Sequence, residues 1–482
     1  MITLLLIVIP IVGMLVTLLV KQGNVARQLT LGISLVELGL TIYAFQLLKT
    51  DPAMLTWRQS WIPDFGSEFY FRMDGIGLLM VLLTTLLYPF IVLSTQNKNY
   101  QSSFYSLMLL MQAALIGVFT AVDGFLFYIF WELALLPIYF ICLRWGGENS
   151  GKITFKFFVY TLTGSLLMLV ALIYVYLQTP GAHSFAIEAL YATGKALSAT
   201  EQAWIFFGLF AAFAVKMPVF PFHTWQPDTY VAAPTAGTML LSGIMLKMGT
   251  YGLIRWLIPI APLGWQNYGY IAVILAVIGI VYASCIAIVQ KDFKRLIAYS
   301  SIAHVGLIAA GILSFNVQGV QGGIFQMLSH GINVVGLFYI VDIISSRMGT
   351  RNLSELGGIR NVAPTFAVLY LIVLLGSVAL PITNGFVGEF LLLTGIYQYD
   401  VTLAVFAGLT VILGAVYMLR SYQAIMLGET NMLTEGFKDL TSNEKLILIP
   451  LVILIVLFGI YPQPLLDVTE PAVQMLIEQV MK

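Results

Sequence analysis

Charge is what this chain of 482 residues has least of: Asp, Glu, Lys and Arg make up only 10% of it, whereas soluble domains run near 25%. The 23 basic and 23 acidic residues cancel, so no charge bias points to nucleic acid. Cysteine is nearly missing as well. Cys142 and Cys285 lie in separate apolar runs, outside any CxxC or Cys/His grouping, which argues against an iron–sulfur or zinc site. There is no GxGxxG following a strand, no P-loop and no haem ligand set, so no nucleotide, metal or other cofactor is expected in this chain. The first residues, MITLLLIVIPIVGMLVTLLVKQ, lack a charged n-region and an A-x-A site. They read as a first transmembrane helix rather than a cleaved signal peptide.

What remains is apolar. Hydrophobic residues make up 59% of the chain, and the mean hydropathy is +0.92. The expected fold class is therefore an all-α polytopic membrane protein. A helix needs about 20 apolar residues to cross the hydrocarbon core. That ruler gives about fourteen spans, near 2–20, 28–48, 74–95, 104–121, 124–143, 155–178, 203–220, 231–258, 267–289, 295–315, 320–345, 364–396, 401–424 and 446–462. The tail after Pro464 reads as a short amphipathic interfacial helix. Odd-numbered loops carry fourteen lysines and arginines and even-numbered loops four, which predicts odd loops on the cytoplasmic side and both termini on the other.

Two spans are interrupted, the seventh at Met217-Pro218-Val219-Phe220-Pro221 and the twelfth at Leu380-Pro381-Ile382-Thr383-Asn384-Gly385. Proline removes a backbone donor and clashes with the preceding turn. Breaks five spans apart suggest two five-helix repeats, spans four to eight and nine to thirteen, the second inverted because five is odd. The expected organisation is three N-terminal helices over 1–100, a first repeat over 101–260, a second over 261–428, and a last span with its tail over 429–482.

Ionisable residues inside spans are expensive, roughly 2.5–3.5 kcal/mol or more at the bilayer centre, so each one asks for a reason. Glu132 lies mid-span in GFLFYIFWELALLPIYF and would be neutral alone; Lys216, one turn before the first break, is its natural cation. The plainer alternatives are a structural pair or a kink cap before Pro137, and for Lys216 a snorkelling anchor. Lys247 lies two thirds along the eighth span, where snorkelling is easier because Arg255 follows. His304 and His330 fall on adjacent spans among Ser300, Ser301, Ser329 and Asn333, which reads as a wet polar lane rather than two isolated core histidines. Glu389 follows the second break, the counterpart of Lys216 with opposite charge. Glu37 reads equally as structural or as facing a neighbouring subunit. Asp123 reads as a helix cap, His223 and Asp228 as a solvated turn, and Asp74, Asp342 and Arg420 as structural.

Two blocks carry a family resemblance: AVKMPVFPFHTWQPDTYVAAPTAGTMLLSGIMLKMGTYGLIR and QKDFKRLIAYSSIAHVG. They resemble the proton-translocating antiporter-like subunits of respiratory complex I, Mrp-type Na⁺/H⁺ antiporters and membrane-bound hydrogenases. The resemblance runs from about residue 70 to 460. The family commonly has lysine on the twelfth span. GFVGEF has glutamate, and FWELALLPIYF also favours the complex I member lying between subunits L and N. The resemblance implies a proton relay in a bacterial inner membrane, driven by NADH:quinone oxidoreduction in other subunits, which bind the NADH, FMN, Fe–S clusters and quinone. It implies Glu132 and Lys216 as an ion pair that opens and closes, Lys247 as central relay, His304 and His330 as its continuation, and Glu389 as terminal carrier. The alternative is an Mrp-type Na⁺/H⁺ antiporter subunit.

Overall fold

The computed structural model describes residues 1–481. Helices α1 (Ile2–Leu19) and α2 (Gly23–Thr50) lead into a hairpin, β1 (Thr56–Ile62) and β2 (Ser67–Arg72), then α3 (Gly75–Leu93) and α4 (Ser102–Thr120). Next come α5 (Gly124–Leu133), α6 (Leu135–Trp145), α7 (Ser150–Leu177), α8 (Ile187–Ala196) and α9 (Ala199–Lys216). Short pieces follow: α10 (Gln226–Ala232), α11 (Thr235–Leu240), α12 (Lys247–Gly252) and α13 (Ile258–Ile260), with π-helical turns at Leu241–Met245 and Leu253–Leu257. The rest is α14 (Pro262–Val289), α15 (Phe293–Leu313), α16 (Val317–Met348), α17 (Ile359–Val362), α18 (Pro364–Ser377), α19 (Asn384–Tyr399), α20 (Val401–Met426), α21 (Ser442–Ile460) and α22 (Gln463–Met481).

Among the described residues, 11 helices are long and apolar enough to cross a membrane. The other three expected spans fall on shorter or broken pieces. The span near 203–220 is α9 and the turn after it, 231–258 is α11 to α13 with its two π-helical turns, and 364–396 is α18 and α19 separated by residues 378–383. Pro218 and Pro221 deny α9 a continuation. At the second break Ala379 and Ile382 hold φ of 55° and 82°, a left-handed region that costs a non-glycine residue about 1–3 kcal/mol.

The chain forms two compact units. The first comprises Met1–Met217, Ile244–Ala272 and the C-terminal stretch from Asp467. Its hairpin is tied to the helices by Asp123, which accepts from the Leu126 N–H at 2.9 Å, capping α5, and from the Glu68 N–H at 3.0 Å. Asp74 caps α3 in the same way and also takes both its oxygens to 2.6 Å from Nη2 of Arg255. Arg255 therefore does not snorkel to an interface: its side chain is 7% exposed and paired. In the tail helix, Val468, Val473, Leu476 and Val480 are buried, and Lys195 donates to the Gln479 carbonyl.

The second unit comprises Pro218–Gly243 and Val273–Leu466. Its centre is α15 and α16, whose apolar windows are each 94% buried. Glycines let α16 and α19 approach closely. A Cβ on Gly322 would come within 2.7 Å of the Leu391 side chain and 2.8 Å of the Leu392 nitrogen, and one on Gly395 within 2.5 Å of the Gly319 backbone. Small residues at a helix interface serve this purpose in lipid, where apolar surface alone drives no association.

Candidate functional site

In the first unit, α9 opens with a capping box between Ser198 and Glu201 and ends on Lys216, which is 2% exposed. Its Nζ stands 5.3 Å from the ring centroid of Trp131, a cation–π distance. Trp131 precedes Glu132, so the two expected partners share one electrostatic neighbourhood. The ion pair between them is nevertheless open. No carboxylate lies within 4.0 Å of Lys216 among the described residues, and Oε1 of the half-buried Glu132 has no hydrogen-bond partner. The span continues through Ala134, whose backbone is helical, so α5 and α6 together make one crossing of 22 residues.

Lys247 is 1% exposed and opens α12, between the two π-helical turns. Such turns widen a helix locally and recur at functional positions. Gly249, two residues on, packs against α9: a Cβ there would lie 2.8 Å from the Phe213 carbonyl oxygen. No proline or charge pattern announces these turns.

In the second unit, His304 on α15 and Glu389 on α19 meet, with Nδ1 at 2.9 Å from Oε1 and both side chains at most 6% exposed. Neither histidine nitrogen has an aligned hydrogen bond, so the contact is one of charge proximity rather than a directed N–H donation. His330 on α16 lies beside the pair, its ring centroid 5.9 Å from that of His304, and its Nε2 is 3.2 Å from Oγ of Ser301. Gln326, one turn before His330, donates from Nε2 to Oε1 of Glu389 at 3.4 Å. Ser300, Ser301, His304, Gln326, His330 and Asn333 line a cavity of about 10 Å³, room for about one water. Orphaned polar atoms surround it: Oε1 of Gln326, Oδ1 of Asn333 and both amide atoms of Asn384 at the second break. Buried polar groups are rarely left unsatisfied, so this concentration marks a place suited to an ordered water.

The structure thus brings Glu132 and Lys216 into one neighbourhood and His304, His330 and Glu389 into another, with Lys247 buried in the first unit. Gln326 was missed, although its spacing of four from His330 puts both on one helix face. Of the two readings of Glu37 the structure favours the structural one: it is 0% exposed within the first unit, because Thr30, Ser34, Glu37 and Thr41 form the inward stripe of α2. One expectation needs correcting. His223 is not in a solvated turn but 5% exposed, stacked on Phe220 and edged by Tyr282. Asp228 pairs with Arg295 at 3.2 Å, and Asp342 accepts from Thr235 at 2.6 Å, both structural ties. No group of three or more metal-ligating side chains forms among the described residues.

Comparison with known proteins places the chain. The profile of the family described as NADH:quinone oxidoreductase/Mrp antiporter, TM, matches residues 121–414. The NADH-quinone oxidoreductase subunit M of Rickettsia typhi is 40% identical over 481 residues, covering 97% of each chain. A chain in the structure of respiratory complex I from Thermus thermophilus with bound NADH superposes with a TM-score of 0.92 at 30% identity, over 100% of both chains. A chain of the Mrp complex from Dietzia sp. DQ12-45-1b, 20% identical, shares the fold with a TM-score of 0.87 over 100% and 99% of the chains. The chain belongs to the NADH:quinone oxidoreductase/Mrp antiporter transmembrane family, on its subunit M branch.

Proposed function

We propose that this chain moves protons across a membrane as an antiporter-like subunit of a respiratory NADH:quinone oxidoreductase, and performs no redox chemistry itself. The observation that carries this reading is the buried contact of His304 with Glu389 beside a water-sized polar cavity, 2.9 Å between Nδ1 and Oε1. A structural ion pair would be expected to be fully hydrogen-bonded, whereas here several polar atoms around it lack partners.

Each unit contributes one set of proton carriers. In the first, Lys216 takes or yields a proton at Nζ, Glu132 stabilises its charged form as the open pair closes, and Lys247 is the next carrier. In the second, His304 and His330 pass the proton on, and Glu389 releases it toward the outer face. The energy comes from quinone reduction in other subunits, which hold the NADH, FMN, Fe–S clusters and quinone. The neighbours are the antiporter-like subunits L and N. The basic loops face the cytoplasm and both termini the opposite side of a bacterial inner membrane. The Mrp-type reading has the weaker support, because the likeness there extends to fold alone and Glu389 stands where the family commonly has lysine.

The test is NADH-driven proton pumping in inside-out vesicles carrying Lys216→Ala or Glu389→Gln, with complex assembly checked on native gels. Each variant is expected to lower the pumping rate at least about tenfold. Wild-type pumping in both, with assembly intact, overturns the proposal.

A further inference from the structure

Between the ends of α14 and α20 the second unit carries a much larger cavity of about 670 Å³. Its rim is polar, with Gln290, Lys291, Ser354, Arg420 and Glu429, and it opens beside the loops that carry Lys291, Arg295 and Arg351. Its inner wall holds two side chains from α20, Tyr417 and Ser421, each 1% exposed. The Tyr417 hydroxyl donates to Oγ of Ser300 at 3.2 Å. Ser300 in turn lines the small cavity around His304 and stands four residues, about one helical turn, before it on α15. One phenol side chain therefore separates a water-accessible cavity from the His304–Glu389 pair and is hydrogen-bonded toward the inner side.

We propose that the second unit has its own proton inlet on the face of the basic loops, in which the Tyr417 hydroxyl carries protons from the 670 Å³ cavity to Ser300 and so to the His304–Glu389 pair. The step balances without any co-reactant. A water in the outer cavity gives a proton to the phenol oxygen as that oxygen passes its own proton to Oγ of Ser300. Ser300 passes one on toward His304 through the single water the small cavity can hold. Rotation of the two hydroxyls resets the chain. The 3.2 Å spacing is within hydrogen-bond range; the step beyond it needs one water in the small cavity that Ser300 and His304 both line. The buried Tyr370 hydroxyl, 3.3 Å from Oγ of Ser421, brings a second hydroxyl pair to the same wall.

This inference rests on the proposed role of Glu389, and the experiment separates the two. Tyr417→Phe and Ser300→Ala, singly and together, are introduced into the assembled complex, with Glu389→Gln in parallel. NADH-driven pumping is measured in H₂O and D₂O. Tyr417→Phe keeps the ring in place and removes only the hydroxyl. Each single variant is expected to pump at least about tenfold more slowly with an increased solvent isotope effect. The double variant should be no slower than either alone, since both cut the same chain of hydroxyls. Wild-type rates and isotope effects in Tyr417→Phe, while Glu389→Gln is inactive, overturn the inlet and leave the role of Glu389 standing. Multiplying losses in the double variant overturn it too, because two structural defects add independently. If Tyr417→Phe fails to assemble, Ser300→Ala alone decides, with the same two readouts. If Glu389→Gln pumps normally, the reading beneath the inlet fails with it.

Discussion

Replacing Gly322 with alanine tests whether the glycine-lined contact of α16 and α19 sets the geometry of the charged pair. The added Cβ would sit 2.7 Å from Cβ of Leu391, 2.8 Å from the Leu392 nitrogen and 3.0 Å from the Leu391 carbonyl carbon. None of these is the far end of a flexible side chain, so relief has to come from moving a helix. Ordinary contact begins at 3.4 Å, which asks for a displacement of about 0.7 Å. Overpacking of this kind costs about 1–3 kcal/mol. The functional effect should be larger than the loss of stability. Gln326 lies one turn from Gly322 and reaches Glu389 at 3.4 Å, already the limit of a hydrogen bond. Moving α19 away from α16 by about 0.7 Å breaks that bond and shifts Glu389 relative to His304, which it meets at 2.9 Å. Gly408→Ala on α20 is the control, because a Cβ there meets nothing within 4 Å; it should be neutral or slightly stabilising, as a helical glycine becomes alanine. The assays are melting of the purified complex and NADH-driven pumping per assembled complex. Gly322→Ala is expected to pump several-fold more slowly than Gly408→Ala. Equal pumping and equal melting temperatures for the two variants would show that the helix contact does not set the site.

Arg255→Ala should destabilise the complex by about 3 kcal/mol or more, because it leaves Asp74 of the buried pair without its cation, read as a lower melting temperature and less assembled complex. Asp439→Ala should cost about 1 kcal/mol, since its carboxylate accepts from the N–H groups of Thr365 and Phe366 at the start of α18. Partial burial raises the pKa of Asp439, but the hydrogen bonds from Leu440, Thr365 and Phe366 outweigh it and hold it below the usual carboxylate range. Its folded pKa being depressed, its contribution is present above the unfolded pKa and lost as pH falls through the folded one. Wild type and Asp439→Ala should therefore converge in melting temperature in acid, and a difference that persists there would refute this. Ile382→Gly should raise stability by up to about 1 kcal/mol, because it relieves a φ of 82° at a side chain that is 64% exposed; a drop in melting temperature would show that the side chain is held by something outside this chain.

Proline and charge made both breaks and all six candidate carriers legible in the sequence, since each is costly in lipid and stands out against an apolar background. What was not legible is which way side chains point on helices buried all round. A helix with one apolar face announces its orientation, but α15 and α16 are covered on every side, so their polar residues carry no facing signal. That is why Gln326 was missed. Glu37 stayed undecided for a related reason. Leu35, Val36, Ile42 and Tyr43 are exposed, so the outer side of α2 is apolar and its inward side polar, the reverse of a soluble helix.

Under the proposed function, the two sites also differ in what a proton would do to them. A proton arriving at Lys216 creates a cation with no carboxylate in contact and only the Trp131 ring and the more distant Glu132 to stabilise it. A proton arriving at Glu389 removes an anion that His304 touches. One site therefore gains charge on loading and the other can lose it. Each loaded state is poorly matched to its immediate surroundings, which favours passing the proton on over holding it. The packing suits that difference. The Lys216 site lies at the end of α9, where Pro218 stops the helix. Glu389 sits between the glycine contact with α16 and a break held in left-handed backbone. On the proposed reading, the first unit loads a cation at an open pair and the second moves a proton beside a water-sized cavity.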